Sequence, residues 1–225
     1  MAGDLVLSAA ERDAVTAAVA EAEAGSDGEI VTVVSESSDA YHDVALHYAV
    51  AAVLAVTAVA AVWPGLLASD SGWGADGLSH DRGRELLLLL IAQAVAFLLV
   101  RFALAWRPLR LLLTPNATLS RRVRRRAVQY FRLAAENRTE GREAVLLYLS
   151  VAEHRAELVA DAAVHKAVAP EAWGAAMAAL VDAVRAGRPG DGMVAAVGAI
   201  GTILSEHFPK TAANPNEIPD RVIEL

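Results

Sequence analysis

The chain contains no cysteine, which excludes disulfides, thiolate metal ligands and a cysteine nucleophile. Charged residues are also scarce: they make up 21% of the 225 residues, whereas 55% are hydrophobic. Ordinary soluble domains are roughly 45–50% apolar and about 25% charged. The composition therefore favours a membrane protein.

An excess of positive charge is missing as well. The formal net charge is −7, which argues against nucleic acid as a partner. The N-terminal segment has no basic region ahead of an apolar stretch, so we expect it to belong to the fold and not to be a signal peptide. The six histidines form no HExxH motif, and the chain has no GxSxG motif, so neither pattern supports a hydrolase assignment.

Two long apolar runs dominate the middle of the chain. Residues 44–68 contain no Asp, Glu, Lys or Arg, and residues 86–106 are interrupted only by Gln93 and Arg101. A helix of about twenty residues crosses the ~30 Å hydrocarbon layer. The two runs, joined by the polar connector 69–85, therefore predict a transmembrane hairpin over residues 44–106.

The distribution of basic residues predicts the orientation of this hairpin. The connector carries Arg82 and Arg84, whereas the segment after the second run carries Arg107, Arg110 and a cluster of five arginines. By the positive-inside rule, both termini lie in the cytoplasm and the connector lies outside the inner membrane.

Few polar residues lie inside the predicted spans. His47, Gln93 and Arg101 are the intramembrane polar candidates, and two spans with so few make a poor pore. Arg101 is six residues from Arg107, so its side chain can extend to the headgroups. A transporter or channel subunit is therefore the least favoured class.

The flanking segments show the pattern of an α/β domain, split into residues 1–43 and 107–225. Ser8 and Glu11 form a capping box that starts a helix over residues 8–24, and Gly25 is expected to end it in a left-handed conformation. A β-branched run at 30–34 predicts a strand buried on both faces. Further elements are expected as a helix at 119–136, a strand at 144–150, an edge strand around 156–160, and helices from about 170 to 187 and 191 to 207.

The predicted helix at 119–136 has one strongly basic face. We expect this face to bind anionic lipid at the membrane surface. Its arginines are Arg121, Arg122, Arg124, Arg125 and Arg126.

Three segments together resemble the TPM domain, which is named for thylakoid lumen, photosystem repair and levamisole-receptor modulator proteins. "LSAAERDAVTAAVAEAEAGSDGEIVTVV" is similar to its opening helix and strand, "REAVLLYLSVAEHRAELVADAAVHKAV" to its later strand pair, and "APEAWGAAMAALVDAVRAGRPGDGMVAAVGAIGTIL" to its closing helices. The resemblance implies a three-layer α/β sandwich interrupted by the hairpin. Some members of the family are described as acid phosphatases, and others as assembly or repair factors.

Four carboxylates near strand ends are the candidate metal ligands: Glu29, Asp39, Glu153 and Asp161. Ligands collect at the carboxyl ends of strands in open α/β sheets, and oxygen ligands suit Ca²⁺ or Mg²⁺. Asp39 and Asp161 fit this role best. The alternative is that all four are solvated surface acids.

Two functions follow from these patterns. The first is a membrane-anchored domain for protein interaction or assembly, whose partners are the lipid bilayer and either another membrane protein or a second copy of the chain. The second is a divalent-metal-assisted phosphatase. Convergence of at least three of Glu29, Asp39, Glu153, Asp161 and Asp220 would favour the enzyme.

Overall fold

The computed structural model describes residues 6–66, 82–135, 143–211 and 220–225. It divides the chain into two compact units. One unit comprises Met1–Asp39 and Asn116–Leu225 and is called here the α/β unit. The other comprises Ala40–Pro115 and is called the helical unit.

The α/β unit contains four strands and five α-helices in its described residues. The strands are β1 (Glu29–Ser35), β2 (Ala144–Ser150), β3 (Arg155–Ala160) and β4 (Ile223–Glu224). Its helices are α1 (Ala9–Ala24), α5 (Asn116–Ala135), α6 (Ala162–Ala167), α7 (Gly174–Arg185) and α8 (Pro189–His207), with a 3₁₀ turn at Pro170–Trp173. The helical unit contains α2 (His42–Val62), α3 (Arg82–Ala103) and α4 (Arg107–Leu112), with a 3₁₀ turn at Pro64–Leu66.

The strands form one sheet in the order β3-β2-β1-β4. β1 runs parallel to both β2 and β4, and β2 runs antiparallel to β3. All seven residues of β1 and of β2 are buried. The predictions of a buried strand at 30–34, a strand at 144–150 and an edge strand around 156–160 are therefore confirmed.

Helices cover the two faces of the sheet. Val123 and Ala127 of α5 pack with Val31, Leu146 and Tyr148 on one face. On the other face, residues of α1, α7 and α8 pack with the alternate residues of the strands. This alternation of strand side chains between two apolar layers produces the predicted three-layer α/β architecture.

The first helix begins as its sequence predicts and ends differently. Ser8 Oγ accepts the Glu11 N–H at 3.3 Å, and Glu11 Oε2 accepts the Ser8 N–H at 2.8 Å, so the capping box is confirmed. The left-handed cap at Gly25 was wrong, because its φ is −98°. Gly25 N–H donates back to Ala22 O, which closes the last turn in the right-handed region.

Two glycines of α8 have opposite surroundings. A Cβ at Gly201 would lie 2.5 Å from Ala22 Cβ and 3.0 Å from Ala22 Cα in α1, whereas a Cβ at Gly198 would meet nothing within 4 Å. Gly201 therefore sets the close approach of α8 to α1.

This contrast gives a matched prediction for two single substitutions. Gly201→Ala should destabilise the protein by about 1–3 kcal/mol, because overpacking exceeds the gain in helix propensity. Gly198→Ala in the same helix should instead stabilise it by up to about 1 kcal/mol. Urea unfolding of both variants in detergent solution measures the difference. Equal effects of the two substitutions would contradict the close packing at Gly201.

Both predicted spans form helices, with shifted ends. The first span was expected over 44–68, but α2 starts at His42 and ends at Val62. Pro64 accounts for that end, since proline cannot continue the hydrogen-bonded helix. The second was expected over 86–106, but α3 covers Arg82–Ala103. Most of the connector 69–85 lies outside the described residues.

The helical unit contains two helices that are long and apolar enough to cross a membrane, namely His42–Val62 and Gly83–Ala103. In the most apolar 18-residue stretch of each helix, 17% and 0% of the residues are buried, respectively. A core helix of comparable hydropathy in a soluble domain would be largely covered by protein. Here the apolar side chains are exposed.

Candidate functional site at the carboxyl edge of the sheet

The carboxyl ends of β1 and β2 lie side by side, since Ser35 pairs with Ser150 in the parallel register. The loops that follow are joined by backbone hydrogen bonds. Val151 N–H donates to Ser35 O and Ala152 N–H to Glu36 O, each at 3.0 Å. The topology therefore brings residues 35–39 and 150–155 together, as expected for ligand-binding loops of an α/β sheet.

Glu153 joins these two loops. Its Oε1 accepts the Ser38 N–H at 2.9 Å and the Ser37 Oγ hydroxyl at 3.1 Å, and its Oε2 accepts a short hydrogen bond from Ser150 Oγ. The residue is only 7% exposed. With both oxygens engaged by donors of the fold, Glu153 holds the two loops together.

A buried hydroxyl network lies beside Glu153. Ser38 Oγ donates to Ser150 Oγ at 2.9 Å and is 3.0 Å from the Tyr148 hydroxyl. Burial raises the pKa of Tyr148 above its usual value, with the nearby hydrogen bonds acting in the opposite direction. The phenol therefore stays protonated near neutral pH and acts as a packing and hydrogen-bonding group.

Asp39 lies at the same edge in an ion pair with the basic helix α5. Its Oδ2 is 2.9 Å from Arg122 Nη1 and 3.5 Å from Arg125 Nη2. The Arg122 side chain is only 15% exposed. Both guanidinium groups thus contact the same carboxylate oxygen of Asp39.

The ion pairs also divide the basic cluster. Arg122 and Arg125 contact Asp39, and Arg124 lies 3.6 Å from Glu157 of β3. Arg126 lies over the Tyr130 ring at 5.4 Å, and both Arg121 and Arg126 are exposed. Of these arginines Arg122 is the least available to lipid, since its side chain is 15% exposed whereas those of Arg124 and Arg125 are 72% and 64% exposed.

Arg155 fixes the start of β3 against α5. Its Nη1 donates to Ser120 Oγ at 2.8 Å and its Nη2 to Asn116 Oδ1 at 3.2 Å. The sequence patterns assigned no role to Arg155. The contacts give it a positioning role at the first turns of α5.

Glu29 and Asp161, the other two candidate ligands, lie at the opposite edge. Glu29 begins β1, and Asp161 Oδ2 accepts the N–H of Ala144, the first residue of β2, at 3.2 Å. Seven strand residues separate the two edges, or about 20 Å at roughly 3.3 Å per residue. Two of the four carboxylates thus lie at each edge.

No group of three or more His, Asp or Glu residues in the described parts of the chain has metal-binding geometry. Glu29 and Asp161 are also separated from each other by the intervening strand β2. The three-residue convergence that would have favoured the enzyme is not seen among these carboxylates.

A further carboxylate, Glu23, was missed from the sequence. Glu23 of α1 is 6% exposed, and its Oε1 accepts the Ile30 N–H at 2.7 Å. Burial raises the pKa of Glu23 to about 8, partly offset by that hydrogen bond and reinforced by Glu29 and Asp220. No local pattern marks Glu23, because part of its surroundings, including Asp220, comes from a segment distant in sequence.

The polar residues of the predicted spans belong to the helical unit. Gln93 Nε2 of α3 donates to Thr57 Oγ1 of α2 at 2.8 Å, and Thr57 Oγ1 donates to Val53 O at 3.0 Å. Hydrogen bonds of this kind join neighbouring helices in membranes. His47 is exposed on α2, and Arg101 lies in the last turn of α3.

The α/β unit and its polar edge define a three-layer α/β domain that carries two candidate membrane helices. The chain is similar in fold to the BA42 protein from the psychrophilic bacterium Bizionia argentinensis, whose structure was determined by NMR. The TM-score is 0.56 with 15% sequence identity, over 100% of this chain and 99% of that chain. No family model and no curated protein matches the chain. At this identity the likeness shows the fold alone.

Proposed function

We propose that the chain is a membrane-anchored α/β domain that acts in protein interaction or assembly at the cytoplasmic face of the inner membrane. The observation that carries this proposal is the pair of long apolar helices with exposed apolar side chains. Lipid is the environment that would cover them. The resemblance to the TPM domain supports the assembly role, since some of its members are described as assembly factors.

The polar edge of the sheet supports an interaction role over catalysis. The carboxylates of Glu153 and Asp39 accept hydrogen bonds from the fold itself. A general acid or base needs a proton-transfer atom within reach of a substrate. In this arrangement the edge acts as a rigid support for its loops.

The anchoring can be tested by cysteine labelling, because the natural chain has no cysteine to interfere. Ser79→Cys lies in the connector, outside the described residues, and Glu206→Cys lies on an exposed site of α8. A membrane-impermeant maleimide added to intact cells should label position 79 only. Both positions should react after the membrane is permeabilised. Labelling of position 206 alone in intact cells would show that the orientation is the reverse of the one proposed. Labelling of both positions in intact cells would contradict a cytoplasmic α/β unit.

The alternative function is a Ca²⁺- or Mg²⁺-assisted phosphatase. Under the proposed function, millimolar divalent cation should leave the melting temperature of the purified chain unchanged, because a ligand stabilises only a native state that binds it. Asp161→Asn, which removes the charge and keeps the size, should then behave alike with and without cation. A cation-dependent rise in melting temperature that this variant loses, together with turnover of a phosphomonoester, would instead establish the phosphatase.

A further inference from the structure

Strand β3 is the outermost strand on one side of the sheet. β3 is the terminal strand in the order β3-β2-β1-β4, so only the side that faces β2 is paired. In the described part of the chain, no backbone hydrogen bond joins the outer side of β3 to another segment. Its six residues are half-buried. An open strand edge of this kind is a template for pairing with another strand.

The register of the hairpin shows which backbone groups point outward. Asp161 N–H donates to Ala144 O at 2.9 Å, so the odd-numbered residues of β3 direct their backbone groups toward β2. Ala156, Leu158 and Ala160 therefore direct their N–H and C=O groups away from the sheet. Two such edges in antiparallel orientation offer each other matching donors and acceptors, enough for about six hydrogen bonds.

The charges on β3 select one register for such a pairing. The outward N–H and C=O groups of two antiparallel copies face each other when Glu157, Leu158 or Val159 lies opposite the same residue of the second copy. Such a register is called centred on that residue. Centring on Glu157 places the two Glu157 residues opposite each other, and centring on Val159 places Glu157 opposite Asp161. Like charges in direct opposition are destabilising. Both registers are therefore disfavoured.

The register centred on Leu158 is the complementary one. It places Arg155 of each copy opposite Asp161 of the other, and Glu157 opposite Val159. It also uses all three outward-facing residues. Charged residues on an edge strand commonly prevent pairing. On β3 they disfavour two registers and favour the third, in which Arg155 and Asp161 also retain the hydrogen bonds that each makes within its own copy.

We propose that two copies of the chain pair their β3 strands into one continuous antiparallel sheet, with Leu158 opposite Leu158 of the second copy. The inference rests on the proposed interaction function and names its partner as a second copy of this chain. The two copies are related by a two-fold axis, so the interface is the same surface on both and closes on itself.

Single cysteines introduced into the full chain in detergent micelles test this register. Leu158→Cys should form a disulfide dimer on mild oxidation, since paired Cα atoms about 5.5 Å apart are within disulfide range. Ala156→Cys and Ala160→Cys lie on the same side of β3 but should each remain monomeric, because each cysteine is about 13 Å from its copy along the strand. An equimolar mixture of those two variants should cross-link through positions 156 and 160.

A proline variant tests the backbone pairing without removing a hydrogen bond to β2. Leu158→Pro deletes an outward N–H group, and proline is tolerated on a strand edge. Self-association in sedimentation equilibrium should weaken by at least about tenfold. Leu158→Ala, which retains the N–H group, is the matched control and should still associate. Circular dichroism checks that both variants are folded.

Absence of a cross-link at position 158 would overturn the inference, as would equal yields at 156, 158 and 160. Equal association of a folded Leu158→Pro variant and the Leu158→Ala control would overturn it too. Maleimide labelling of Ser79→Cys does not depend on the disulfide yields at positions 156, 158 and 160. Membrane anchoring and self-association can therefore fail separately.

Discussion

Replacing Glu153 by alanine should lower the free energy of unfolding of the α/β unit by about 3–5 kcal/mol. The carboxylate is buried and accepts hydrogen bonds from the Ser38 N–H and from the hydroxyls of Ser37 and Ser150. Alanine leaves those donors without their acceptor inside the protein. The penalty is large because the lost partner was an acceptor for several groups at once.

Protection of the β2 amides against hydrogen exchange measures this loss, because β2 exchanges through opening of the α/β unit. Glu153→Gln retains an oxygen acceptor and should lose less stability than Glu153→Ala. Glu206→Ala, at an exposed position of α8, is the control and should change the free energy by less than about 0.5 kcal/mol. If Glu153→Ala matched that control, Glu153 would not be holding the loops together.

Glu23 should make the stability of the protein fall as the pH rises from about 5 to 8. In the folded state the pKa of Glu23 is raised from 4.5 to about 8, chiefly by burial. A raised pKa means that the folded state retains a proton that the unfolded state has already released. The associated stability is fully present below pH 4.5 and is lost as the pH passes through about 8.

Glu23→Gln should remove this dependence. Each pKa unit corresponds to about 1.4 kcal/mol, so at pH 9 the variant should be more stable than the wild type by several kcal/mol. At pH 5 the two proteins should be similar, since the glutamine oxygen can still accept the Ile30 N–H. Urea unfolding at the two pH values measures the difference.

Glu21→Gln on the exposed face of the same helix serves as the control and should leave the pH dependence of the wild type in place. A Glu23→Gln variant whose stability falls with pH as steeply as that of the wild type would show that another group is responsible.

The elements that the sequence predicted well carry local signals. The capping box at Ser8 needs only residues three positions apart, and the burial of β1 is visible in its own run of branched side chains. The apolar runs predicted α2 and α3 for the same reason. α2 ends six residues before the apolar run does, because Pro64 stops the helix while the hydropathy of the run continues to residue 68.

The candidate site depended on strand order, which no local pattern contains. β3 runs antiparallel to β2, so Asp161, which follows β3, returns to the edge where β2 begins. Asp39 and Glu153 are near the opposite edge because β1 and β2 are parallel. Likewise, the ion pair between Asp39 and Arg122 and the burial of Glu23 beside Asp220 join residues that are far apart in sequence. Each required the tertiary structure.

The parallel pairing of β1 with β2 has a consequence for the order of synthesis. Glu29 pairs with Ala144, and both apolar helices lie between them in the chain. At about 5–20 residues per second, β2 is completed roughly 10 s after β1. During that interval both apolar helices are synthesised. β1, whose residues are all buried in the folded protein, still lacks its neighbour β2. Folding of the α/β unit is therefore necessarily completed after both apolar helices have been synthesised.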